Sequence, residues 1–190
     1  MGRRTSGRGV VVVILTPFPP PPPAVARSLE LLAVVRRGDP KEMDAAGDLT
    51  DLPRPWEPPS CPADLREQVW TWCEEVARWL NKEYAWRPAQ MIPPCWPRHA
   101  HLARELAVLA FLRWDAEQAA TPGVVEEWHR YSWPMFSDRM FTRLGESTCR
   151  TGKHQDWPAA GRIDAYATQE ATQERKDLFD ADVHPAAGID

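Results

Sequence analysis

Two cysteine–histidine pairs have the residue types that bind transition metals. Cys95 and His99 precede one predicted helix, and Cys149 and His154 follow another. Two thiolates and two imidazoles are a sufficient donor set for a tetrahedral zinc ion. The pairs are 50 residues apart, so they do not form a compact zinc knuckle. The sequence therefore favours the simpler interpretation of one buried structural cysteine, one loop cysteine and two surface histidines, with no cofactor, and a zinc site is the alternative.

His129 is the residue best placed for acid–base chemistry. Glu126 lies three residues before it, which is the carboxylate–histidine spacing of di-iron helical bundles, but those sites need the motif twice and it occurs once here. We therefore expect a histidine at the edge of the core that is hydrogen-bonded to a neighbour. The sequence also lacks a phosphate-binding glycine loop, a GxSxG elbow, an HExxH motif and an EF-hand loop. It predicts a non-enzymatic protein with no catalytic residues.

Tryptophans are unusually frequent, and all ten lie at or after Trp56. Five of them precede a proline by one or two residues, a pattern typical of loops pinned onto helices. Trp70 and Trp114 fall outside the main apolar faces of their helices. Because tryptophan is a favoured anchor at protein interfaces, we expect these two to bind a protein partner.

Four basic residues form the one local positive patch, and they could contact nucleic acid: Arg139, Arg143, Arg150 and Lys153. The net charge of −4 disfavours that function. A helix-turn-helix over residues 98–133 is also a poor fit, because Glu126 and Glu127 would open its recognition helix and would repel phosphates. A DNA-associated accessory protein is thus the alternative to a protein-binding module. The patch could equally pair with the acidic last helix.

Helical periodicity predicts the elements that position these residues, over residues 62–84, 98–120, 122–144 and 159–181. The second helix is apolar on nearly every side, which is typical of a central, buried helix. Pro134 should kink the third helix. On an unkinked helix, Arg139 and Arg143 would fall on the apolar face. Either the kink changes which side of the helix faces the core after Pro134, or both arginines have buried partners. No segment alternates like a strand.

These elements predict an all-α fold, a small bundle of three long helices with a docked C-terminal helix. If the second and third helices are antiparallel neighbours, the two cysteine–histidine pairs lie at the same end of the bundle. We expect residues 61–182 to form this domain and 183–190 a tail. Residues 43–60 read as a proline-rich linker, and residues 1–42 as a disordered or misassigned extension that includes a short helix over 24–37.

Four cysteines are too few for a disulfide scaffold, and no apolar run approaches the roughly 20 residues of a membrane span. We therefore expect a cytoplasmic protein.

Several stretches also resemble small proteins of unknown function encoded in actinobacterial plasmids and integrative conjugative elements. These are CWPRHAHLARELAVLA, EEWHRYSWPMFSDRM, RLGES, CRTGKH and DWP. The resemblance covers residues 56–185. It implies a setting, namely the maintenance, transfer or control of such an element, and it supplies no activity and no catalytic residues.

Overall fold

The protein is all-α. A computed structural model describes residues 14–37 and 52–184, and within these ranges its regular structure is helical throughout. The chain divides into two compact units, Met1–Lys153 and His154–Asp190. The buried core lies in the first unit.

The described ranges contain seven α-helices, numbered here in chain order, and several of the connections between them include a short 3-10 turn. They are α1 (Pro23–Arg37), α2 (Ala63–Glu83), α3 (Ala100–Glu117), α4 (Gly123–Glu127), α5 (Trp133–Leu144), α6 (Ile163–Tyr166) and α7 (Gln169–Val183). The first two long helices, α2 and α3, begin and end within a few residues of the predicted ranges. The third predicted helix is divided between α4 and α5, and the last between α6 and α7.

Helix α2 forms because its apolar residues recur at helical spacing on one side. Asp64 in its first turn and Lys82 in its last turn complement the helix dipole. The apolar face is buried against the rest of the unit and comprises Leu65, Val69, Trp72, Val76, Trp79 and Leu80. This face supplies much of the core.

A π-helical turn, Trp128–Ser132, joins α4 to α5 immediately before Pro134. Proline has no N–H to donate, and its ring would clash with the carbonyl one turn earlier in an α-helix. The wider turn relieves that conflict and changes the phase of α5 relative to α4. The sequence predicts a kink at Pro134, and the departure from α-helical geometry lies in the residues just before this proline.

Helices α3 and α5 are antiparallel neighbours. Glu105, near the start of α3, accepts hydrogen bonds from Arg139 and Arg143, which lie toward the end of α5. The start of α3 and the end of α5 consequently lie at the same end of the unit. Both arginines are exposed and Glu105 is only partly buried, so the first alternative is the one that fits: the π-helical turn changes the helical phase, and Arg139 and Arg143 lie outside the buried face of α5.

Residues 14–37 pack on α2, which differs from the expected disordered extension. Phe18 and Val25 are buried in the core. The indole Nε1–H groups of Trp72 and Trp79 donate to the carbonyls of Pro19 and Thr16, both at 2.8 Å. Buried indoles require an acceptor, and this proline-rich segment provides two. The rest of the predicted extension, residues 1–13 and 38–42, lies outside the described residues, as do residues 43–51 of the predicted linker.

In the second unit, Thr168 separates α6 from α7 and caps α7 by accepting a hydrogen bond from the Ala171 amide. Arg175 donates to the Tyr166 carbonyl and places its guanidinium 4.1 Å from the centre of the Tyr166 ring. Five large apolar side chains of this unit are exposed, namely Ile163, Tyr166, Leu178, Phe179 and Val183. Docking of the last helix stays a prediction.

Candidate metal centre

The first half of the site is a tight turn that leads into α3. The Arg98 amide donates to the Cys95 carbonyl at 2.9 Å, and the His99 amide donates to the Trp96 carbonyl at 3.1 Å. This 3-10 geometry places Cys95 and His99, four residues apart, on the same side of the chain. His99 then serves as the N-cap residue of α3, and only 2% of its surface is exposed. The position of its ring is therefore fixed by packing.

The second half is a loop directly after α5. Cys149 is fully buried in the 3-10 turn Thr148–Thr151. Gly152 closes that turn with φ 85°, in the left-handed region that favours glycine. The Thr148 hydroxyl donates to the Lys153 carbonyl at 2.8 Å, and the Lys153 amide donates back to the Thr148 carbonyl at 3.2 Å. These bonds hold the backbone that delivers the next residue, His154.

The four donor atoms converge. One ligand atom from each of Cys95, His99, Cys149 and His154 lies within 4.8 Å of every other. His99 Nε2 is 3.5 Å from Cys95 Sγ and 3.3 Å from Cys149 Sγ. A tetrahedral zinc ion holds sulfur at about 2.3 Å and nitrogen at about 2.0 Å, which sets neighbouring sulfur and nitrogen ligands roughly 3.5 Å apart. The group is thus positioned to bind a metal, and the expectation of two surface histidines is wrong for His99, which is buried.

Asp156 orients His154. Its carboxylate lies 2.9 Å from His154 Nε2, so Nδ1 is the nitrogen that His154 can offer to a metal. A carboxylate bonded to the far nitrogen of a ligating histidine is the common outer-shell arrangement at zinc sites, where it fixes the tautomer and raises the basicity of the ring. The sequence analysis did not identify Asp156, although the spacing His154-x-Asp156 is its signal.

The surroundings of the site are partly desolvated. Burial raises the pKa of the Cys95 thiol, and the neighbouring Cys149 sulfur raises it further. Burial also lowers the pKa of His101, and the nearby positive charge of Arg143 adds to that effect. The His101 ring is 5.9 Å from that of His99, but His101 is not one of the four converging donors. All four cysteines of the chain are thiols.

His129 has the role expected of it, a hydrogen-bonded histidine beside the core. Its Nε2 lies 2.9 Å from the Tyr84 hydroxyl, and the two rings stack with centroids 5.8 Å apart. Glu126 pairs instead with Arg130, one turn along the helix. The carboxylate–histidine spacing of Glu126 and His129 therefore does not bring these two side chains together.

The basic patch is largely engaged in contacts within the first unit. Arg139 and Arg143 share Glu105, which the sequence analysis did not single out. Arg150 donates to the Phe141 carbonyl at 3.0 Å and stacks its guanidinium 4.3 Å from the centre of the Phe141 ring. Lys153 is exposed. Phosphate binding would have to compete with the carboxylate that already holds the two α5 arginines.

The expected tryptophan anchors are packed rather than fully exposed. Trp70 and Trp114 are partly buried against the core, and the Trp70 ring lies 6.0 Å from that of Trp96. Trp86, in the loop after α2, is instead 91% exposed. Trp86 has the Trp-x-Pro spacing that predicts a loop tryptophan packed onto a helix. This spacing alone therefore does not distinguish a packed tryptophan from an exposed one.

A shallow groove of about 320 Å³ lies between α3 and the π-helical turn with α5. Leu109 and Phe136 are buried at its base. Its exposed apolar lining consists of Val108, Leu112, Tyr131 and Met135. The apolar composition of α3 predicts burial on nearly every side. The helix is buried on most sides, but Val108 and Leu112 are exposed in this groove.

In the described ranges, no helix combines the length and the apolar character that crossing a bilayer requires. Comparison of the chain with protein-family models, with curated proteins and with solved structures gave no match.

Proposed function

We propose that this chain is a non-enzymatic zinc-binding protein, in which one Zn²⁺ bound by Cys95, His99, Cys149 and His154 stabilises the fold. The observation that carries the proposal is the approach of four donors from two distant segments to within 4.8 Å of one another. The antiparallel helices bring the two pairs to the same end of the bundle, but they do not require the four ligand atoms to converge. A bound ion would explain why both segments bring their donors to one point.

The donor set supports a structural role. Four protein ligands complete the tetrahedral coordination of zinc and leave no position for a substrate or an activated water. Catalytic zinc sites usually keep one such position open. His99 and Cys149 are also buried, so a bound ion would have little access to solvent. The site would link the start of α3 to the loop after α5.

The choice of zinc rests on ligand chemistry. Two thiolates with two imidazoles suit a borderline-soft ion without a strong geometric preference, whereas magnesium and calcium take oxygen ligands. The outer-shell carboxylate of Asp156 is a further feature of histidine-ligated zinc sites.

Native mass spectrometry of the full chain, purified under reducing conditions without a chelator, tests the proposal. We expect a mass excess of one zinc ion per chain that disappears in Cys149→Ser. The matched control is Cys61→Ser, which removes a buried thiol outside the four-donor group and should keep the metal. An apo mass for the natural chain, before and after incubation with zinc, overturns the proposal.

Cobalt substitution tests the coordination itself. Tetrahedral Co²⁺ absorbs strongly in the visible range and shows thiolate-to-metal charge transfer in the near ultraviolet, whereas octahedral Co²⁺ absorbs weakly. We expect the tetrahedral spectrum from the natural chain and from Cys61→Ser. A weak octahedral spectrum would mean that the four side chains do not coordinate the ion together.

The wider setting stays a prediction. A role in an actinobacterial plasmid or conjugative element is what the resemblance implies, and a protein partner and a cytoplasmic location are expectations from the sequence. A zinc-thiolate site agrees with a reducing compartment, where thiols persist.

A further inference from the structure

We infer that this site is also redox-sensitive: peroxide converts Cys95 and Cys149 into a disulfide and releases the metal. This inference rests on the proposed function, because it describes how the same site would be regulated. Its starting point is that the only two sulfur donors of the group lie side by side at one histidine nitrogen.

The two sulfurs are close enough to react with each other. Their Sγ atoms lie within 4.8 Å, and each lies within 3.5 Å of His99 Nε2. A disulfide needs a sulfur–sulfur distance of about 2.0 Å. Cys95 immediately precedes the 3-10 turn Trp96–Arg98, and Cys149 lies in the 3-10 turn Thr148–Thr151. Neither cysteine lies in an α-helix, so we expect small adjustments of these two short segments to close the gap.

The two cysteine residues differ in their exposure, and we expect this difference to set the order of events. Cys95 is partly exposed and lies between prolines in the loop before α3, whereas Cys149 is fully buried. Oxidants reach exposed thiolates first. Cys95 would therefore be attacked, and Cys149 would act as the resolving thiol.

The chemistry balances with hydrogen peroxide as the oxidant. The Cys95 thiolate attacks one peroxide oxygen, the O–O bond breaks, and the products are a sulfenic acid and hydroxide. The Cys149 thiolate then attacks the Cys95 sulfur, a sulfur–sulfur bond forms, and a second hydroxide leaves. Two protons convert the hydroxides to water. The sulfurs lose two electrons in total, the peroxide gains them, and the two remaining histidines bind zinc too weakly to retain it.

The other two cysteines provide internal controls. Cys61 and Cys73 are buried and lie outside the four-donor group. Burial raises the pKa of Cys73 to about 12, so it has very little thiolate to react with peroxide. Oxidation should therefore be confined to the site.

The experiment treats the reduced, zinc-loaded full chain with hydrogen peroxide, after native mass spectrometry has established that metal is bound. A coloured zinc chelator follows release, and intact mass with non-reducing peptide mapping follows the thiols. We expect complete release of zinc, the loss of two hydrogen atoms in mass, and a cross-linked peptide pair that contains Cys95 and Cys149. Dithiothreitol should restore zinc binding. Cys61→Ser and Cys73→Ser should respond as the natural chain does.

Three results overturn the inference. The first is zinc that stays bound with both thiols intact, the second is a disulfide that includes Cys61 or Cys73, and the third is release that accompanies sulfinic acid in place of a disulfide. All three leave the proposed zinc site standing, since metal was bound before peroxide was added. A chain without metal at the outset would instead refute the proposed function, and this inference with it.

Discussion

His99 Nε2 lies 3.3 Å from the sulfur of Cys149, although the two residues are 50 positions apart in the chain. This contact joins the N-cap residue of α3 to the loop that follows α5. An ion bound here would cross-link two segments that the backbone connects only through the whole α3–α5 hairpin.

Removal of the metal should therefore lower the melting temperature of the full chain. An ion present at about a thousand times its dissociation constant contributes about 4 kcal/mol, which corresponds to roughly 10 °C for a chain of this size. Thermal unfolding followed by circular dichroism, with and without a chelator, measures this difference. Cys149→Ser should melt at one temperature in both conditions, and equal melting of the natural chain in both would contradict the expectation.

Gly152→Ala should destabilise the loop that carries Cys149 and His154. A Cβ at this position meets nothing within 4 Å, so the cost arises from φ +85° and not from a clash. The left-handed conformation costs a non-glycine residue about 1–2 kcal/mol. The loss should appear both in urea unfolding and as weaker competition with a zinc chelator.

Gly161→Ala is the matched control, because its Cβ also meets open space and its φ is not in the left-handed region. It should leave both measurements nearly unchanged. Equal effects of the two substitutions would show that backbone strain at Gly152 is not the cause.

Glu105→Gln should make the stability of the protein less dependent on pH. Burial raises the pKa of Glu105, but hydrogen bonds from Arg143 and Arg139 outweigh it, so the pKa of Glu105 is lower in the folded chain. A depressed pKa means that ionised Glu105 contributes stability above the pKa of the unfolded chain, near 4.3. That contribution is lost as the pH falls through the folded pKa.

Urea unfolding at pH 7 and at pH 3 checks this sign. We expect Glu105→Gln to be less stable than the natural chain by about 1 kcal/mol at neutral pH and nearly equal to it in acid. The exposed Glu75→Gln should show little difference at either pH. A gap for Glu105→Gln that persists at pH 3 would mean that its ionised form is not what stabilises α3 against α5.

Phe18→Ala should show that the N-terminal segment belongs to the folded core. Phe18 is 9% exposed and makes edge-on contacts with Trp72 and Trp79, with centroids 6.1 and 5.1 Å apart. Deletion of a buried phenylalanine ring costs about 3–5 kcal/mol. The free energy of unfolding in urea measures the loss, and Leu15→Ala, at a position 75% exposed, should change it by less than about 0.5 kcal/mol. Equal small effects would place Phe18 outside the cooperative unit.

The placement of the two cysteine–histidine pairs at the same end of the bundle could be predicted from the helices, but their convergence could not. Once α3 and α5 are antiparallel, Cys95 with His99 and Cys149 with His154 must come to the same end. The sequence could not determine how closely they approach, because that depends on the 3-10 turns at Trp96–Arg98 and Thr148–Thr151. Turns of this length have no periodicity to detect.

The N-terminal segment shows the opposite case. Pro19–Pro23 and the short helix after them have the composition of a linker, and nothing in residues 14–37 predicts burial of Phe18 or Val25. The residues that indicate this contact lie on α2, since Trp72 and Trp79 on its apolar face each need an acceptor for an indole N–H. A helical wheel shows which residues face inward, but not which segment they meet.

The proline run that ends at the start of α1 has an entropic consequence. Each proline has φ already fixed by its ring, so the unfolded segment has fewer conformations to lose when it docks. Its carbonyls have no neighbouring amides within the run to bond, which leaves them available to side-chain donors such as the indole of Trp72. A stretch with the composition of a spacer is thus already restricted in conformation before it docks on α2. Replacing these prolines with glycine and serine would raise the conformational entropy lost on folding, although no core side chain would be removed.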